Sequence, residues 1–264
     1  MITGRTRVYG ILADPIRHVK TPQAMNALFA ERGVDGVLVP FHVAPEGLAT
    51  LLDGLRRMRN FGGFIATVPH KPAMLALCDR VDDHAAMIGA VNAVRREPDG
   101  AMVGAMLDGL GFVAALRAQG TDPAGMTALL AGAGGAAAAI AFALAEAGVS
   151  RLTIANRTTD RAADLAARVS AAFPGCRAQA GTADPRGFDL VVNATALGMQ
   201  ASDPAPLDLS GLSAGQIAAE AVMEPEITPF LAAAQAAGCA IRRGRPMLDH
   251  QIALMARHMG AIEA

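Results

Sequence analysis

The sequence is poor in aromatic residues, in cysteine and in runs of like charge. Its 264 residues include no tryptophan, one tyrosine and three cysteines, and 23 basic side chains are balanced by 24 acidic ones. So few aromatic rings argue against a base-stacking platform, and the net charge of −1 argues against nucleic acid or an anionic membrane as a partner. Cys78, Cys176 and Cys239 are too scattered for a disulfide framework and are typical of reduced thiols in a cytosolic protein.

The sequence also lacks a clear membrane segment or leader. Residues 1–15, MITGRTRVYGILADP, contain no apolar stretch of signal-peptide length. An uncharged run at residues 126–145 has the length of a membrane span, but Gly132, Gly134 and Gly135 fall inside it. Each glycine costs a helix interior roughly 1 kcal/mol. We therefore divide the run into a strand over 127–131 and an alanine-rich helix over 135–146, and we expect a soluble, cytoplasmic protein without a membrane partner.

Short β-rich runs alternate with amphipathic helical stretches along almost the whole chain, which is 52% apolar. This alternation predicts an α/β fold with mostly parallel sheets covered by helices. Turn signals at residues 98–108 separate an N-terminal α/β domain from a nucleotide-binding domain. Strands are predicted at residues 7–12, 36–42, 63–67, 127–131, 151–155, 189–193 and 217–221, and helices at 22–33, 45–59, 112–120, 135–146, 161–173 and 247–260.

Residues 132–137, GAGGAA, fit the pattern G-x-G-x-x-A between a strand and a helix. In that pattern Gly132 permits a tight turn, Gly134 lets the backbone approach a pyrophosphate, and Ala137 lets helix and strand pack closely. The phosphates would lie at the amino end of the helix, where free N–H groups and the helix dipole favour anions. On these residues alone, a tight turn without a ligand is an equally good interpretation.

The end of the next strand favours a phosphorylated dinucleotide. NAD is normally held by an acidic residue about 20 positions further on, and a methyltransferase with the same turn also usually has an acid there. Strand 151–155 ends instead in Asn156, Arg157 and Thr158, with Arg161 one helical turn later. Because guanidinium groups suit bidentate phosphate binding, this end predicts NADP. Thr158 is also expected to cap the helix that follows, which is compatible with phosphate binding.

Segments along essentially the whole chain resemble the motifs of the shikimate dehydrogenase family, in the order of that family. None of them is specific alone, but their common order is. Some match family patterns such as G-x-P-I-x-H-S-x-S-P, T-V-P-x-K, G-A-V-N-T and N-A-T-x-x-G-M. The segments are ADPIRHVKTP (13–22), ATVPHK (66–71), GAVNA (89–93), LDG (107–109), GAGGAA (132–137), NRT (156–158), NATALGM (193–199), TPFL (228–231) and MLDHQ (247–251).

The resemblance implies an NADP-dependent dehydrogenase of two domains. Residues 1–106 and 246–264 would form the substrate-binding domain, with the C-terminal helix packing back on it, and 107–245 a Rossmann-like NADP-binding domain. Lys71 is implied as the acid/base that serves the substrate oxygen during hydride transfer, with Asp108 as its partner. Without the resemblance, Lys71 would be interpreted as a solvated loop cation and Asp108 as a helix cap.

The resemblance also implies binding residues for substrate and cofactor. Asn92 and Gln251 would bind substrate hydroxyls, with Thr67 and Thr21 beside them; a turn, a polar helix face, a strand position and a helix N-cap are their ordinary alternatives. We expect no metal, because the six histidines lack ligand spacing, and we expect His70 to be a packing residue. The implied cofactor residues are Gly132, Ala133, Gly134, Gly135, Ala136, Asn156, Arg157, Thr158, Arg161, Asn193, Thr195, Leu197, Gly244 and Met247.

Several substrate positions depart from the family pattern. Val19 stands for a serine, Ile65 for an asparagine and Met223 for a tyrosine, so polar contacts with the substrate are fewer. Arg17, His18 or Lys20 is a candidate replacement charge for a substrate carboxylate. The remaining departures are Thr21 for a serine, Ala105, Met106 and Leu107 within G-D-N-T-D-G, and Pro246 for a glycine.

Three functions therefore stay open. The first is an NADP-dependent dehydrogenase of shikimate or 3-dehydroshikimate. The second is a dehydrogenase of quinate, an amino analogue or another small cyclic hydroxy acid, with poor activity on shikimate. The third is a non-catalytic NADP-binding regulator, although it would have no need of both Lys71 and Asp108. A monomer and a homodimer are equally compatible with the sequence.

Overall fold

The computed structural model of the protein describes residues 1–17 and 19–263. The chain forms two compact units, the first from Met1–Leu107 together with Gln251–Ala264 and the second from Asp108–His250. The expected assignment of the first part to the substrate and of the second to the cofactor stays a prediction.

The first unit is built on a mixed sheet in which six described strands lie in the order β2-β1-β3-β5-β6-β4. β1 pairs in parallel with both β2 and β3, whereas β5 runs antiparallel to β3 and to β6. A three-residue 3-10 turn, Pro45–Gly47, precedes the second helix. The elements are β1 Arg7–Ala13, α1 Thr21–Glu31, β2 Gly36–His42, α2 Leu48–Arg57, β3 Phe61–Ala66, α3 Met74–Leu77, β4 Arg80–Val81, α4 Asp83–Ile88, β5 Ala93–Arg96 and β6 Met102–Ala105.

Most pairings of the protein are parallel, as expected, but β5 is antiparallel to both of its neighbours, whereas β4 again pairs in parallel with β6. β5 and β6 are joined by a tight turn in which Glu97 N–H donates to the Ala101 carbonyl (2.8 Å) and Gly100 has φ +93°. A connection this short can join only antiparallel neighbours, because a parallel crossover needs a dozen or more residues. The turn signals at residues 98–108 therefore enclose a strand rather than a domain linker alone.

The second unit is a parallel sheet in which six described strands lie in the order β12-β11-β10-β7-β8-β9. Counted from the start of this unit, the order is 6-5-4-1-2-3, which is the doubly wound order of dinucleotide-binding sheets. The elements are α5 Asp108–Ala118, β7 Thr127–Ala131, α6 Gly135–Glu146, β8 Arg151–Ala155, α7 Thr159–Ala172, β9 Arg177–Ala180, β10 Leu190–Asn193, β11 Ile217–Glu220, α8 Pro229–Ala236, β12 Ala240–Arg242 and α9 Arg245–His258, which ends within the first unit.

The uncharged run at residues 126–145 forms β7, the glycine turn and most of α6, as predicted. Nearly every alanine of α6 is buried, because small side chains let the helix approach its neighbours closely. Gly109 in α5 shows how close the approach is, since a Cβ atom there would lie 2.0 Å from the Ala139 carbonyl oxygen of α6. In the described part of the chain, no helix is long and apolar enough to cross a membrane.

The C-terminal helix α9 packs on the first unit, as expected. The His258 ring donates from Nε2 to the Val103 carbonyl of β6 (2.9 Å), and the Arg95 guanidinium donates to the His258 carbonyl (3.4 Å). Met259, just after the helix, lies against Gly63 of β3 and is buried.

Candidate active site

In the first unit, the segments that follow β1 and β3 are hydrogen-bonded to each other. Thr67 N–H donates to the Leu12 carbonyl (3.0 Å), and Asp14 N–H donates to the Val68 carbonyl (3.1 Å). Since parallel strands end at the same edge of a sheet, the residues after Ala13 and after Ala66 lie together there. The structure thus brings the first residues of the expected substrate segment, Ala13 and Asp14, beside Thr67 and Val68.

Lys71 lies in a turn that is fixed on both sides. His70 N–H donates to the Thr67 carbonyl (2.7 Å), and Val91 N–H donates to the Lys71 carbonyl (3.0 Å). The His70 ring is 1% exposed, and its Nε2 lies 2.9 Å from the Val43 carbonyl oxygen, which can only accept. His70 therefore anchors the turn by packing and a hydrogen bond, while Lys71 is half-buried.

Asn92 connects the end of β3 with the segment that leads to Asp108. Its carbonyl accepts from Ala66 N–H (2.9 Å) and its own N–H donates to the Ala105 carbonyl (3.0 Å). Its side-chain Oδ1 accepts from Leu107 N–H at 2.9 Å, and the side chain is fully buried. Asn92 therefore orders residues 105–107 whatever else its amide binds.

Thr21 does not cap α1, which corrects the sequence-based expectation. The helix begins at Thr21 itself, Lys20 occupies the N-cap position, and no cap hydrogen bond from a side chain is found in the described residues. Pro22 thus stands in the second helical position, where its missing N–H again has no helical partner to lose.

The remaining substrate positions are mostly apolar and partly enclosed. Ile65 is buried inside β3, while Val19 and Met223 are half-buried. Gln251 is buried on α9. Arg17 and Lys20 are exposed, and His18, the third candidate for a replacement charge, lies outside the described residues.

In the second unit, the glycine turn lies where the strand order reverses. β7 is flanked by β8 on one side and β10 on the other, and such a switch point at the carboxyl ends of the strands is where doubly wound sheets bind ligands. Gly132 has φ +117°, and a Cβ atom there would lie 3.1 Å from the Ala194 carbonyl oxygen. Both the backbone conformation and the close approach require glycine at this position.

The next two glycines leave space at the amino end of α6. Cβ atoms built on Gly134 and Gly135 would meet nothing within 4 Å, and both residues are exposed. Gly134 is the N-cap of this 12-residue helix, so first-turn N–H groups are directed into that space. The arrangement fits the pyrophosphate of a dinucleotide.

Arg157 and Arg161 lie at the carboxyl end of β8 and are exposed. Neither guanidinium forms an ion pair within the described part of the chain, although Asp160 lies in the same first turn of α7. Asn156 donates from Nδ2 to the Thr158 carbonyl (2.9 Å), which fixes the turn between strand and helix. Thr158 is the N-cap of α7, as predicted, but no side-chain cap hydrogen bond accompanies it in the described residues.

Asn193 orders the loop that follows β10. Its Oδ1 accepts from Thr195 N–H (3.1 Å) and from the Thr195 hydroxyl (2.7 Å), and its Nδ2 donates to the Leu197 carbonyl (3.0 Å). This loop also forms the wall against which Gly132 is packed, through Ala194. Asn193 is fully buried, so its amide acts here as a structural element of the sheet edge.

Gly244 and Met247 lie where the chain leaves β12 and enters α9, at the carboxyl edge of the second sheet. A Cβ atom on Gly244 would lie 2.0 Å from the Val222 carbonyl oxygen, so the chain after β12 passes directly against the residues that follow β11. Met247 N–H donates to the Gly244 carbonyl (3.0 Å), and Met247 is buried. Only glycine allows this approach.

Glu220 is a buried carboxyl group that sequence reasoning missed. It ends β11 opposite Asn193 of β10, is 1% exposed, and accepts a hydrogen bond from the Thr228 hydroxyl at 2.9 Å. Burial raises the pKa of the Glu220 carboxyl from 4.5 to about 7; the Thr228 hydroxyl and, to a smaller extent, the Asn193 amide lower it. The sequence does contain a signal for this group, because Glu220 is the only charged residue in the otherwise apolar strand IAAE.

Thr228 also caps α8, because its hydroxyl accepts from Leu231 N–H at 3.2 Å. The TPFL segment thus carries a structural network of its own, joining a helix start to a strand end. Asn193, Glu220 and Thr228 together fix the edge of the sheet beside the glycine turn.

Comparison with known proteins gives matches along most of the chain. Residues 11–94 match the family model described as the shikimate dehydrogenase substrate binding domain, and residues 115–198 match the model described as shikimate / quinate 5-dehydrogenase. Shikimate dehydrogenase (NADP(+)) of Rubrobacter xylanophilus is 44% identical over 259 residues, which cover 95% of this chain and 89% of the relative.

Two solved structures are similar over nearly the full length. Shikimate 5-dehydrogenase from Thermus thermophilus, in complex with NADP(H) and shikimate, has a TM-score of 0.88 and 35% identity, covering 97% of this chain and 94% of its own. The ligand-free 5-ketofructose reductase of a Gluconobacter species has a TM-score of 0.89 and 32% identity, covering 97% and 93%.

Proposed function

Because the chain belongs to the shikimate dehydrogenase family, we propose that it is an NADP-dependent oxidoreductase acting on a CH–OH group of shikimate, with 3-dehydroshikimate as the ketone. The observation that carries the proposal is the carboxyl edge of the second sheet. There an open glycine turn at the amino end of α6 lies next to a strand end whose two guanidiniums, those of Arg157 and Arg161, form no ion pair among the described residues.

The residues present fit NADP. The α6 N–H groups and the space over Gly134 and Gly135 suit the pyrophosphate, and Arg157 and Arg161 suit the 2′-phosphate. The Asn193 loop, with Thr195 and Leu197, would border the nicotinamide half, as would Gly244 and Met247. The bound cofactor supplies or accepts the hydride.

The proton is assigned to Lys71, with Asp108 as its partner. Oxidation of an alcohol removes a proton from oxygen as hydride leaves carbon, so an amine held beside that oxygen completes the reaction. The support is positional: Lys71 lies in a turn fixed through Thr67 and Val91, at the carboxyl edge of the first sheet. Asp108 is buried at the first position of α5, directly after the segment that Asn92 orders.

A second candidate is favoured by the apolar substrate positions. Asn92, Gln251, Thr67 and Thr21 are the polar groups proposed to bind ring hydroxyls, whereas Ile65 offers none. A substrate hydroxyl buried without its partner loses roughly 1–3 kcal/mol. We therefore propose, as the alternative substrate, quinate or a less hydroxylated cyclic hydroxy acid.

Steady-state kinetics with NADP on shikimate, quinate and a panel of cyclic hydroxy acids tests both candidates. We expect measurable turnover on at least one ring acid, and a lower KM for shikimate in Val19→Ser or Ile65→Asn if the apolar positions limit binding. Efficient shikimate turnover that neither variant improves would eliminate the second candidate. Tight NADP binding without turnover of any panel member would instead indicate a non-catalytic regulator.

We also infer a cytoplasmic enzyme, as either a monomer or a homodimer. The support is that Cys176 and Cys239 are buried thiols and Cys78 is a half-buried one, and free thiols are typical of proteins in a reducing compartment. Fractionation of cells and sedimentation of the purified protein test the two points.

A further inference from the structure

The first unit contains an arginine-rich cavity that the proposed reaction does not use. It has a volume of about 560 Å³, and its lining residues include five arginines and a single acidic residue, Glu97. We call it the arginine cavity; its basic residues are Arg5, Arg7, Arg59, Arg95 and Arg96. Its volume falls in the range of about 300–1,000 Å³ that is typical of small-molecule sites.

The positive charge of the arginine cavity is largely uncompensated. Glu97 is engaged by Arg95, through contacts of 2.7 and 3.2 Å to one carboxylate oxygen. Arg5, Arg7 and Arg59 are exposed and have no carboxylate partner among residues 1–17 and 19–263. In a chain whose net charge is −1, such a concentration of one sign is a local feature of this surface.

The inner wall of the arginine cavity is rigid. The Arg96 guanidinium donates from Nε and Nη2 to the Arg56 carbonyl (2.9 and 2.6 Å) and from Nη1 to the Glu97 carbonyl (2.9 Å). Its side chain is therefore fixed and buried, and the carbonyl dipoles stabilise its positive charge without cancelling it. Arg96 supplies a fixed positive potential, while the three unpaired arginines are available for direct contact.

The arginine cavity lies at the opposite end of the sheet from the candidate active site. Arg7 is the first residue of β1, Asn60 precedes β3, and Arg95 lies near the end of β5, which is antiparallel to β3. Lys71 and Thr67 follow the carboxyl end of β3. The length of β1, seven residues at about 3.3 Å each, separates the two edges by roughly 20 Å.

We propose that the arginine cavity binds a small polyanion, a molecule that carries at least two phosphate or carboxylate groups. Guanidiniums bind such groups in planar, bidentate fashion, and three of them from two segments, residues 5–7 and Arg59, would contact more than one anionic group at once. Asn60 adds an amide, and Pro98 and Met259 add apolar surface. The bound anion would connect the start of β1, the turn before β3 and the β5–β6 turn.

The test is a calorimetric titration with inorganic pyrophosphate, followed by citrate, at constant ionic strength. Because pyrophosphate is also a probe for the proposed cofactor site, the titration is made in the Gly134→Asp/Arg157→Ala/Arg161→Ala background, in which a carboxylate at the amino end of α6 repels an anion from the glycine turn. Arg59→Ala is then added to that background. The matched control is Arg177→Ala, which removes an exposed arginine at the start of β9 in the second unit.

We expect pyrophosphate to bind in the background protein and to bind on the order of 10- to 100-fold more weakly after Arg59→Ala, with no change after Arg177→Ala. Stronger binding of citrate than of pyrophosphate would identify a polycarboxylate rather than a phosphate ester. Absence of binding at millimolar probe, or equal binding with and without Arg59, overturns the proposal. Binding of duplex DNA that depends on Arg59, without pyrophosphate binding, also overturns it in favour of a macromolecular partner.

Since Arg59 is exposed and has no hydrogen-bond partner in the described part of the chain, its removal should not unfold the protein. Thermal melting of each variant checks this. Added pyrophosphate should raise the melting temperature of the background protein but not of the Arg59→Ala protein. The result is independent of the cofactor assignment, because the glycine turn carries a repelling carboxylate and the arginines proposed to hold the 2′-phosphate are absent throughout.

Discussion

Replacing Glu220 by glutamine should stabilise the protein at alkaline pH and leave its stability in mild acid almost unchanged. The carboxyl is 1% exposed and accepts a hydrogen bond from the Thr228 hydroxyl. Its other oxygen, Oε1, is buried without a partner in the described residues. A neutral group of the same shape avoids the desolvation of a charge and keeps the bond from Thr228.

The magnitude follows from the pKa of Glu220, which burial raises from 4.5 to about 7. Above pH 4.5 the unfolded chain loses this proton, whereas the folded chain keeps it until about pH 7. Between these two values the folded state binds more protons, so the contribution of Glu220 to stability falls as pH rises. The shift of the Glu220 pKa corresponds to a loss of folding stability of roughly 3 kcal/mol. This loss is fully present above about pH 7 and absent below the pKa of the unfolded chain.

The assay is urea denaturation of the cofactor-free protein at about pH 5 and about pH 8, wild type against Glu220→Gln. Circular dichroism is the suitable probe, because the chain has no tryptophan and its single tyrosine, Tyr9, lies in the first unit. Glu46→Gln is the control, since Glu46 is exposed. We expect a gain of up to about 3 kcal/mol for Glu220→Gln at the higher pH and almost none at the lower.

Taking the difference between variant and wild type removes the titration of all other groups. An equal effect of Glu220→Gln at both pH values would refute the reasoning, because ionisation of the buried carboxyl would then carry no cost. A loss of stability at both values would show that the hydrogen bonds of Glu220 outweigh its desolvation.

Three further outcomes are expected. Arg157→Ala should weaken the binding of NADP by about 10-fold or more and leave the affinity for NAD unchanged, as measured by titration with each cofactor. Equal affinities of the wild type for NADP and NAD would contradict the 2′-phosphate assignment. Lys71→Ala should lower turnover about 10²–10⁴-fold with NADP affinity retained, and unchanged turnover would remove Lys71 from the mechanism. Gly109→Ala should lower the free energy of unfolding by about 1–3 kcal/mol or more, because the new Cβ atom would lie 2.0 Å from the Ala139 carbonyl oxygen. Gly54→Ala on α2, with nothing within 4 Å, should slightly stabilise the protein, and similar effects of the two glycine changes would contradict the packing argument.

The elements that could be predicted from sequence are those with a strong local pattern. All seven predicted strands exist, three with the predicted bounds and four with bounds shifted by one or two residues, and the glycine turn joins β7 to α6 where expected. These strands are apolar and are followed by helices with their own periodicity, so local sequence and global fold agree. The same alternation predicted the parallel pairing of the second sheet, whereas its strand order is known only from the structure.

The elements that could not be predicted depend on contacts between distant residues. β4, β5 and β6 are two to four residues long, and β5 carries Arg95 and Arg96, which are unusual in a buried strand. Arg96 is accommodated because the Arg56 carbonyl, 40 positions away, accepts two of its hydrogen bonds. Glu220 depends in the same way on Thr228, and neither partner can be inferred from its own neighbourhood in the sequence.

The same physical difference separates the reaction class from the choice of substrate. A glycine turn determines its ligand through backbone N–H groups and missing side chains, so a few consecutive residues carry that information. Substrate choice depends instead on side-chain hydroxyl and amide groups supplied by positions far apart in the chain, such as 19, 65 and 251. One apolar replacement among them changes binding by roughly 1–3 kcal/mol, and two can change the preferred ring without altering the cofactor edge. Relatives of this fold can therefore share NADP chemistry and differ in substrate, and kinetics on a panel of ring acids is the measurement that decides between them.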